Sequence, residues 1–142
     1  MAESMAESMI AVDTNILVRY VVNDDAEQAQ QAKELLRENA VFISKTVILE
    51  TEWVLRGVYK LSQEAVLKAL LSILGLENVS VENEHQIAQA IEYYKKGLDF
   101  ADALHYVANK QVDNFYTFDE KFVKKSQLLS LKVTGLKARR LG

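Results

Sequence analysis

The sequence predicts an α/β fold, in which a single domain contains a short, mostly parallel central sheet with helices on both faces. Short apolar runs alternate with helical patterns along the chain. This alternation is typical of parallel strands joined by helical crossovers. No segment between these elements has the composition of a linker, and 142 residues are enough to bury one core.

The expected strands are short and apolar, and two of them stop at an aspartate. The first strand runs into Asp13 and the fourth into Asp119. Ligands of an open parallel sheet bind beyond the carboxyl ends of its strands, so these two aspartates mark the expected active face. We expect strands at residues 9–12, 41–43, 79–81, 115–118 and 131–133.

The expected helices follow from apolar residues at helical spacing and from residues that favour helix ends. Residues 26–39 give the clearest pattern, with acids near the start and bases later. Gly75 and Gly97 are suited to ending two of the later helices. A helical segment is expected after Asp13, and further helices at residues 26–39, 46–59, 62–74, 84–96, 99–110 and 121–126.

The two ends of the chain differ from the domain expected at residues 9–136. Residues 1–8 repeat the unit Met-Ala-Glu-Ser and have no core-forming pattern. We therefore expect a tag or a disordered extension there. Residues 137–142 form a basic tail.

The composition excludes several classes of protein. Cysteine is absent, which removes disulfides, thiolate nucleophiles and cysteine-type zinc sites. No apolar run approaches the ~20 residues of a membrane helix, and no secretory signal is visible, so we expect a cytoplasmic protein without membrane contact. A net charge of −3 argues against binding nucleic acid mainly through a large basic patch. It leaves a nucleic-acid enzyme open, because bound divalent cations restore positive charge.

Five acids from separated segments are the candidate chemical groups, and each has a structural explanation when taken alone. Those that follow strands suit helix caps or turns. Those in the segment 98–104 suit the start of a helix, where the dipole favours negative charge. The five are Asp13, Glu50, Asp99, Asp102 and Asp119.

Glu50 is the acid that capping explains least. It lies in a strongly apolar segment, three and four residues before Trp53 and Val54. We expect its carboxylate to lie beside an apolar face, where pairing or metal binding would relieve the cost of burial. Glu52 is expected to face solvent instead. Trp53 could stack on a base, but its place beside Val54 and Leu55 favours a core or dimer contact.

Crowded carboxylates repel one another, and some of them take up protons. A hard divalent cation removes that repulsion, and all-oxygen ligation favours Mg²⁺ or Mn²⁺. Such ions activate water and stabilise both attacking and leaving oxygens at phosphorus. The acids therefore support a hypothesis of metal-dependent phosphodiester hydrolysis without a Ser, Cys or His nucleophile.

Four segments, in this order and spacing, resemble the PIN domain family and, within it, the VapC-type toxins of bacterial and archaeal toxin–antitoxin pairs. The resemblance covers residues 9–133. The segments are Val12-Asp13-Thr14-Asn15, Leu49-Glu50-Thr51-Glu52-Trp53-Val54-Leu55, Asp99-Phe100-Ala101-Asp102-Ala103-Leu104 and Thr117-Phe118-Asp119.

The resemblance implies a metal-dependent endoribonuclease that uses Mg²⁺ or Mn²⁺. It also implies a homodimer and a cognate antitoxin protein whose C-terminal segment lies in the active-site groove. By matching position, the family's catalytic and metal-binding quartet corresponds to Asp13, Glu50, Asp102 and Asp119. Asp99 corresponds to an auxiliary metal-binding acid, and Asn15 and Thr117 to polar residues that orient the acids.

Other residues carry weaker expectations. His85 and His105 are isolated, which does not favour a histidine zinc site. Weak candidates for contacts to RNA phosphates are Arg19, Lys45, Arg56 and Lys121. Two alternatives to a toxin stay open: a housekeeping PIN nuclease that processes RNA or acts on DNA, and a non-catalytic interaction module whose acids cap helices.

Overall fold

Seven α helices and five strands make up the part of the chain that the structure, a computed structural model, describes, residues 8–137. The expected N-terminal extension and basic tail lie outside the described residues, apart from Ser8 and Lys137. The chain divides into two compact units, Met1–Glu84 and His85–Gly142. The domain boundaries at residues 9 and 136 stay predictions.

The first unit contains a three-stranded parallel sheet in the order β1-β2-β3. Met9 is aligned with Ala40 in the first pair, and Val41 with Val79 in the second. Parallel neighbours need long crossovers, which the helices provide. The elements are β1 (Met9–Ala11), α1 (Thr14–Val21), α2 (Ala26–Glu38), β2 (Ala40–Ile43), α3 (Lys45–Trp53), a π-helical segment (Val54–Val58), α4 (Gln63–Leu74) and β3 (Val79–Val81).

The second unit contains a two-stranded parallel sheet. Phe115 is aligned with Val133, and α7 connects the two strands. The elements are α5 (Glu84–Lys95), which begins on the last residue of the first unit, α6 (Phe100–Ala108), β4 (Phe115–Thr117), α7 (Glu120–Leu128) and β5 (Val133–Gly135).

Each unit buries its own set of large apolar side chains. In the second unit, Phe100 packs edge-on against Tyr94, and Phe122 against Phe115. In the first unit, the fully buried residues include Leu17, Leu36, Val41, Ile43, Ile48, Leu55, Leu70 and Ile73. Parallel pairing and intervening helices confirm the predicted α/β fold class. None of the helices in residues 8–137 is long and apolar enough to cross a membrane.

Two predicted elements differ from the observed ones. The helix expected at 46–59 is α-helical only to Trp53, after which the Tyr59 amide bonds the Val54 carbonyl five residues back. The last strand lies two residues later than expected, at Val133–Gly135. The amide of Leu131 is used instead to bond the Ser126 carbonyl and close the end of α7.

Candidate active site

Asp13 lies just beyond the carboxyl end of β1 and caps the N-terminus of α1. Its backbone is extended, and its Oδ1 accepts a 3.3 Å hydrogen bond from the amide of Ile16. This is the usual geometry of an aspartate N-cap. The Asp13 and Asn15 side chains are exposed. The supporting role of Asn15 stays a prediction.

Thr14 connects this strand end to α3. Its buried hydroxyl donates a 2.6 Å hydrogen bond to Oε1 of Glu50, which lies 36 positions later in the chain. The bond fixes one carboxylate oxygen of Glu50 beside the residue that follows Asp13. The segments of two predicted site acids therefore meet within the first unit. Sequence reasoning missed Thr14, although a hydroxyl directly after Asp13 was visible in the sequence.

The predicted environments of Glu50 and Glu52 were wrong. Glu50 is exposed, whereas Glu52 is 1% exposed. The buried positions of α3 and the turn after it are Ile48, Thr51, Glu52 and Leu55, which follow helical spacing and place Glu52 in the buried stripe.

Arg56 compensates the buried charge of Glu52. Its Nε lies 2.7 Å from Oε2 of Glu52 and its Nη2 lies 3.4 Å from Oε1. The spacing of four residues, with the acid first, favours such a pair on a helix. Arg56, predicted as a weak phosphate contact, thus forms an ion pair within its own helical segment.

Asp99 and Asp102 lie together at the start of α6. Asp99 is the N-cap, and its Oδ2 accepts a 3.2 Å hydrogen bond from the amide of Asp102. Asp102 is half-buried in the first turn. Burial raises the pKa of Asp102 to about 6, with further increases from the negative charges of Asp99 and Asp119 and an opposing effect of His105.

Asp119 follows β4 and caps α7. Its Oδ1 accepts hydrogen bonds from the amides of Lys121, at 3.0 Å, and Phe122, at 3.1 Å. The hydroxyl of Thr117 accepts a 3.0 Å hydrogen bond from the Asp119 amide and so fixes its backbone. Asp99, Asp102 and Asp119 therefore share one electrostatic environment within the second unit, since the first and last raise the pKa of the second.

The predicted basic candidates have different surroundings. Arg19 lies 2.7 Å from Oδ1 of Asp24 and 3.3 Å from the hydroxyl of Tyr59, and the Asp24 hydrogen bond is the main cause of its raised pKa. The amide of Lys45 donates to Glu82. Lys121 is exposed in the first turn of α7, two residues after the Asp119 cap.

An open cavity of about 800 Å³ begins at Asp13 and continues along α2. Arg19 also lines it. The rest of its polar lining consists of the amides Asn15, Gln28, Gln31 and Asn39 and the acids Glu34 and Glu38. The described residues 8–137 contain no group of three or more His, Asp or Glu side chains placed to hold a metal ion. Assignment of the acids to a metal centre therefore stays a prediction.

The sequence suggested that Trp53 would lie in the core or at a dimer contact. In the structure it does not lie in the core. Its side chain is 55% exposed at the end of α3. The indole lies over Gly57, where an added Cβ would be 3.6 Å from Cε2 of Trp53. The alternative expectation, a dimer contact, stays a prediction.

Comparisons with known proteins give a family for the chain. The family model of the PIN domain matches residues 10–128. The crystal structure of VapC20 from Mycobacterium tuberculosis, a Sarcin-Ricin loop cleaving toxin, is similar at 24% sequence identity. The match covers 82% of this chain and 94% of that chain, with a TM-score of 0.42. No curated protein matches.

Proposed function

The chain belongs to the PIN domain family, and from this membership and its acidic residues we propose that it is a metal-dependent endoribonuclease. The proposed reaction is hydrolysis of an RNA phosphodiester bond. Asp13, Glu50, Asp102 and Asp119 are the proposed catalytic and metal-binding acids, with Asp99 as a further metal ligand.

The observation that carries this proposal is the state of Asp102. Burial and two neighbouring carboxylates raise its pKa to about 6. Aspartates without such neighbours ionise near 4. Neighbouring negative charges favour the protonated form of a carboxyl group, and a bound cation would offset the same repulsion. A carboxyl group whose pKa is raised by burial and by neighbouring charges is a candidate functional group.

The chemistry of the donor set fits Mg²⁺ or Mn²⁺. All the proposed ligands are carboxylates, which hard divalent cations prefer. Bound there, the ion would supply positive charge and Lewis acidity for hydrolysis at phosphorus. Thr14 would orient Glu50 through its 2.6 Å hydrogen bond, and Thr117 would hold the backbone of Asp119.

We further propose that the protein is the toxin of a toxin–antitoxin pair, acts in the cytoplasm, forms a homodimer and is bound by a cognate antitoxin. The proposal rests on the resemblance of the four acidic segments to VapC-type toxins. Expression of the chain should stop growth, and coexpression of the neighbouring gene's product should restore it. Growth unaffected by an active nuclease would favour the housekeeping alternative.

A second candidate function is a metal-free interaction module whose acids serve the fold. It is favoured by one observation, that Asp13, Asp99 and Asp119 each cap a helix. Such a module would bind a basic partner peptide and would have no hydrolytic activity.

Metal titration separates the two functions. We expect isothermal titration to detect Mn²⁺ binding that Asp13→Asn and Asp102→Asn weaken, together with RNA cleavage that the same variants lose. Asp25→Asn is the matched control, because Asp25 caps α2 in the same way, with its Oδ1 3.0 Å from the Gln28 amide. Absence of Mn²⁺ binding, with RNA cleavage unchanged in both site variants, would contradict the nuclease.

A further inference from the structure

Trp53 is a large apolar side chain that the core of its unit does not use. It is the only tryptophan in the chain, and it stays 55% exposed at the end of α3. Ile48 and Leu55, on either side of it in sequence, are fully buried. A tryptophan combines a broad apolar face with a polar N–H, which suits it to contacts at surfaces that another molecule covers.

The position of Trp53 relates it to a proposed site acid. Trp53 follows Glu50 by three residues, and side chains at this spacing lie on the same face of a helix. Glu50 in turn accepts the 2.6 Å hydrogen bond from Thr14, the residue after Asp13. Trp53 therefore starts from the face of α3 that carries Glu50, and its indole extends along the helix toward Gly57.

The indole of Trp53 lies over Gly57. A Cβ added at Gly57 would lie 3.6 Å from Cε2 and 3.8 Å from Nε1 of Trp53, which is van der Waals distance. The space between the ring and the helix would therefore accept a methyl group at Gly57. One side of the ring faces the helix, and Trp53 as a whole is 55% exposed.

We propose that Trp53 stacks on an unpaired base of the RNA strand that is cut at the acidic site. This inference rests on the proposed endoribonuclease function and adds to it a residue that holds the RNA strand. Unpaired bases stack on exposed aromatic side chains, whereas bases inside an A-form helix are already stacked. Trp53 acts as a substrate-positioning residue on the helix that carries Glu50, without chemical participation.

The single tryptophan makes a direct binding experiment possible. A short unstructured oligoribonucleotide is titrated into the full chain in EDTA, so that binding is measured without cleavage. We expect the fluorescence of Trp53 to be quenched by this RNA, and much less by the same RNA with abasic positions. Trp53→Ala should raise the Kd, measured with labelled RNA, roughly tenfold, and Trp53→Phe should recover most of the affinity.

A matched variant controls for general loss of apolar surface. Leu71, on α4, is 44% exposed, and Leu71→Ala should leave the Kd unchanged. In cleavage assays with metal, Trp53→Ala should raise KM with little effect on kcat, as expected when binding energy is lost equally from substrate and transition state.

Three results would overturn the stacking proposal: no quench by RNA, equal quench by abasic RNA, or wild-type affinity in Trp53→Ala. A fourth result would also overturn it: RNA does not quench the fluorescence of Trp53, and Trp53→Ala converts a dimer to a monomer. That result would show that the Trp53 face of α3 contacts a second copy of the chain. Failure of the nuclease proposal is separate, since it is recorded as absence of RNA cleavage by the wild-type chain with added metal.

Discussion

The hydroxyl of Thr14 lies 2.6 Å from Oε1 of Glu50 and joins the start of α1 to the middle of α3. Thr14 is buried and Glu50 is exposed. The bond is therefore the contact that orients an otherwise solvent-exposed carboxylate next to the residue that follows Asp13. A predicted site acid is held in place by a residue that sequence reasoning did not select.

Removal of the Thr14 hydroxyl should reduce the rate of RNA cleavage strongly and the free energy of unfolding only slightly. Thr14→Val keeps the side-chain shape but removes the donor, so we expect the free energy of unfolding to fall by about 1 kcal/mol. RNA cleavage should fall roughly 10- to 100-fold, as is usual for residues that orient metal ligands. Thr14→Ser should retain most activity. Urea unfolding and initial cleavage rates measure both effects, and a fully active Thr14→Val would contradict this role.

The raised pKa of Asp102 predicts a pH effect on the stability of the metal-free protein. The unfolded carboxyl ionises near 3.8 and the folded one near 6. Between these values the folded state binds more protons, so this group stabilises the fold below pH 3.8 and the contribution is lost as pH rises through 6. We expect Asp102→Asn to gain stability relative to the wild type from pH 4 to pH 7.

Urea unfolding in EDTA at several pH values tests that expectation. Asp25→Asn serves again as the control, because Asp25 is likewise an aspartate at the start of a helix, as the N-cap of α2. A constant difference between wild type and Asp102→Asn across the range would show that Asp102 titrates like an ordinary aspartate.

The ion pair between Glu52 and Arg56 predicts a structural effect without a catalytic one. Because the carboxylate of Glu52 is buried, Arg56→Ala should lower the free energy of unfolding by about 2 kcal/mol. The exposed pair of Arg37 and Glu38, 3.9 Å apart, gives the control, since Arg37→Ala should cost less than about 1 kcal/mol. Under conditions where the variant is folded, Arg56→Ala should cleave RNA at the wild-type rate. If the variant is folded but binds RNA more weakly, Arg56 contacts an RNA phosphate after all.

The lysines of α7 predict a salt-dependent contribution to RNA binding. Lys121, Lys124 and Lys125 are exposed and share one helical face that starts beside Asp119. Replacement of all three by glutamine should weaken the binding of RNA of any sequence. The slope of log Kd against log salt concentration should fall by up to about 2. Lys68→Gln on α4 is the control. An unchanged slope would place these lysines outside the RNA path.

The parts of the site that depend on local sequence were predictable. An apolar run that stops at an aspartate predicted a strand before Asp13 and before Asp119, and a helix cap at Asp13, because N-capping depends on the residue and the few amides after it. Asp119 was expected as a turn residue and is also a cap. The Asp99 cap at the start of α6 was accessible for the same reason.

The parts that depend on tertiary contacts were not predictable in the same way. Whether Glu50 or Glu52 faces the interior is a question of helix phase, which the packing of α3 decides. The bond from Thr14 to Glu50 spans 36 positions and has no local signal. Trp53 is exposed at the junction of α3 and the π-helical segment, and apolar periodicity gives no signal for that exposure.

The capping geometry of the aspartates has a genetic consequence. Asp13, Asp99 and Asp119 are each held by amides of their own helix rather than by one another, and asparagine or serine can cap in their place. Single substitutions should therefore abolish activity and leave a well-folded chain. If the protein arrests growth, clones that survive its expression should carry such changes, and sequencing many survivors would locate the active site without any purified enzyme.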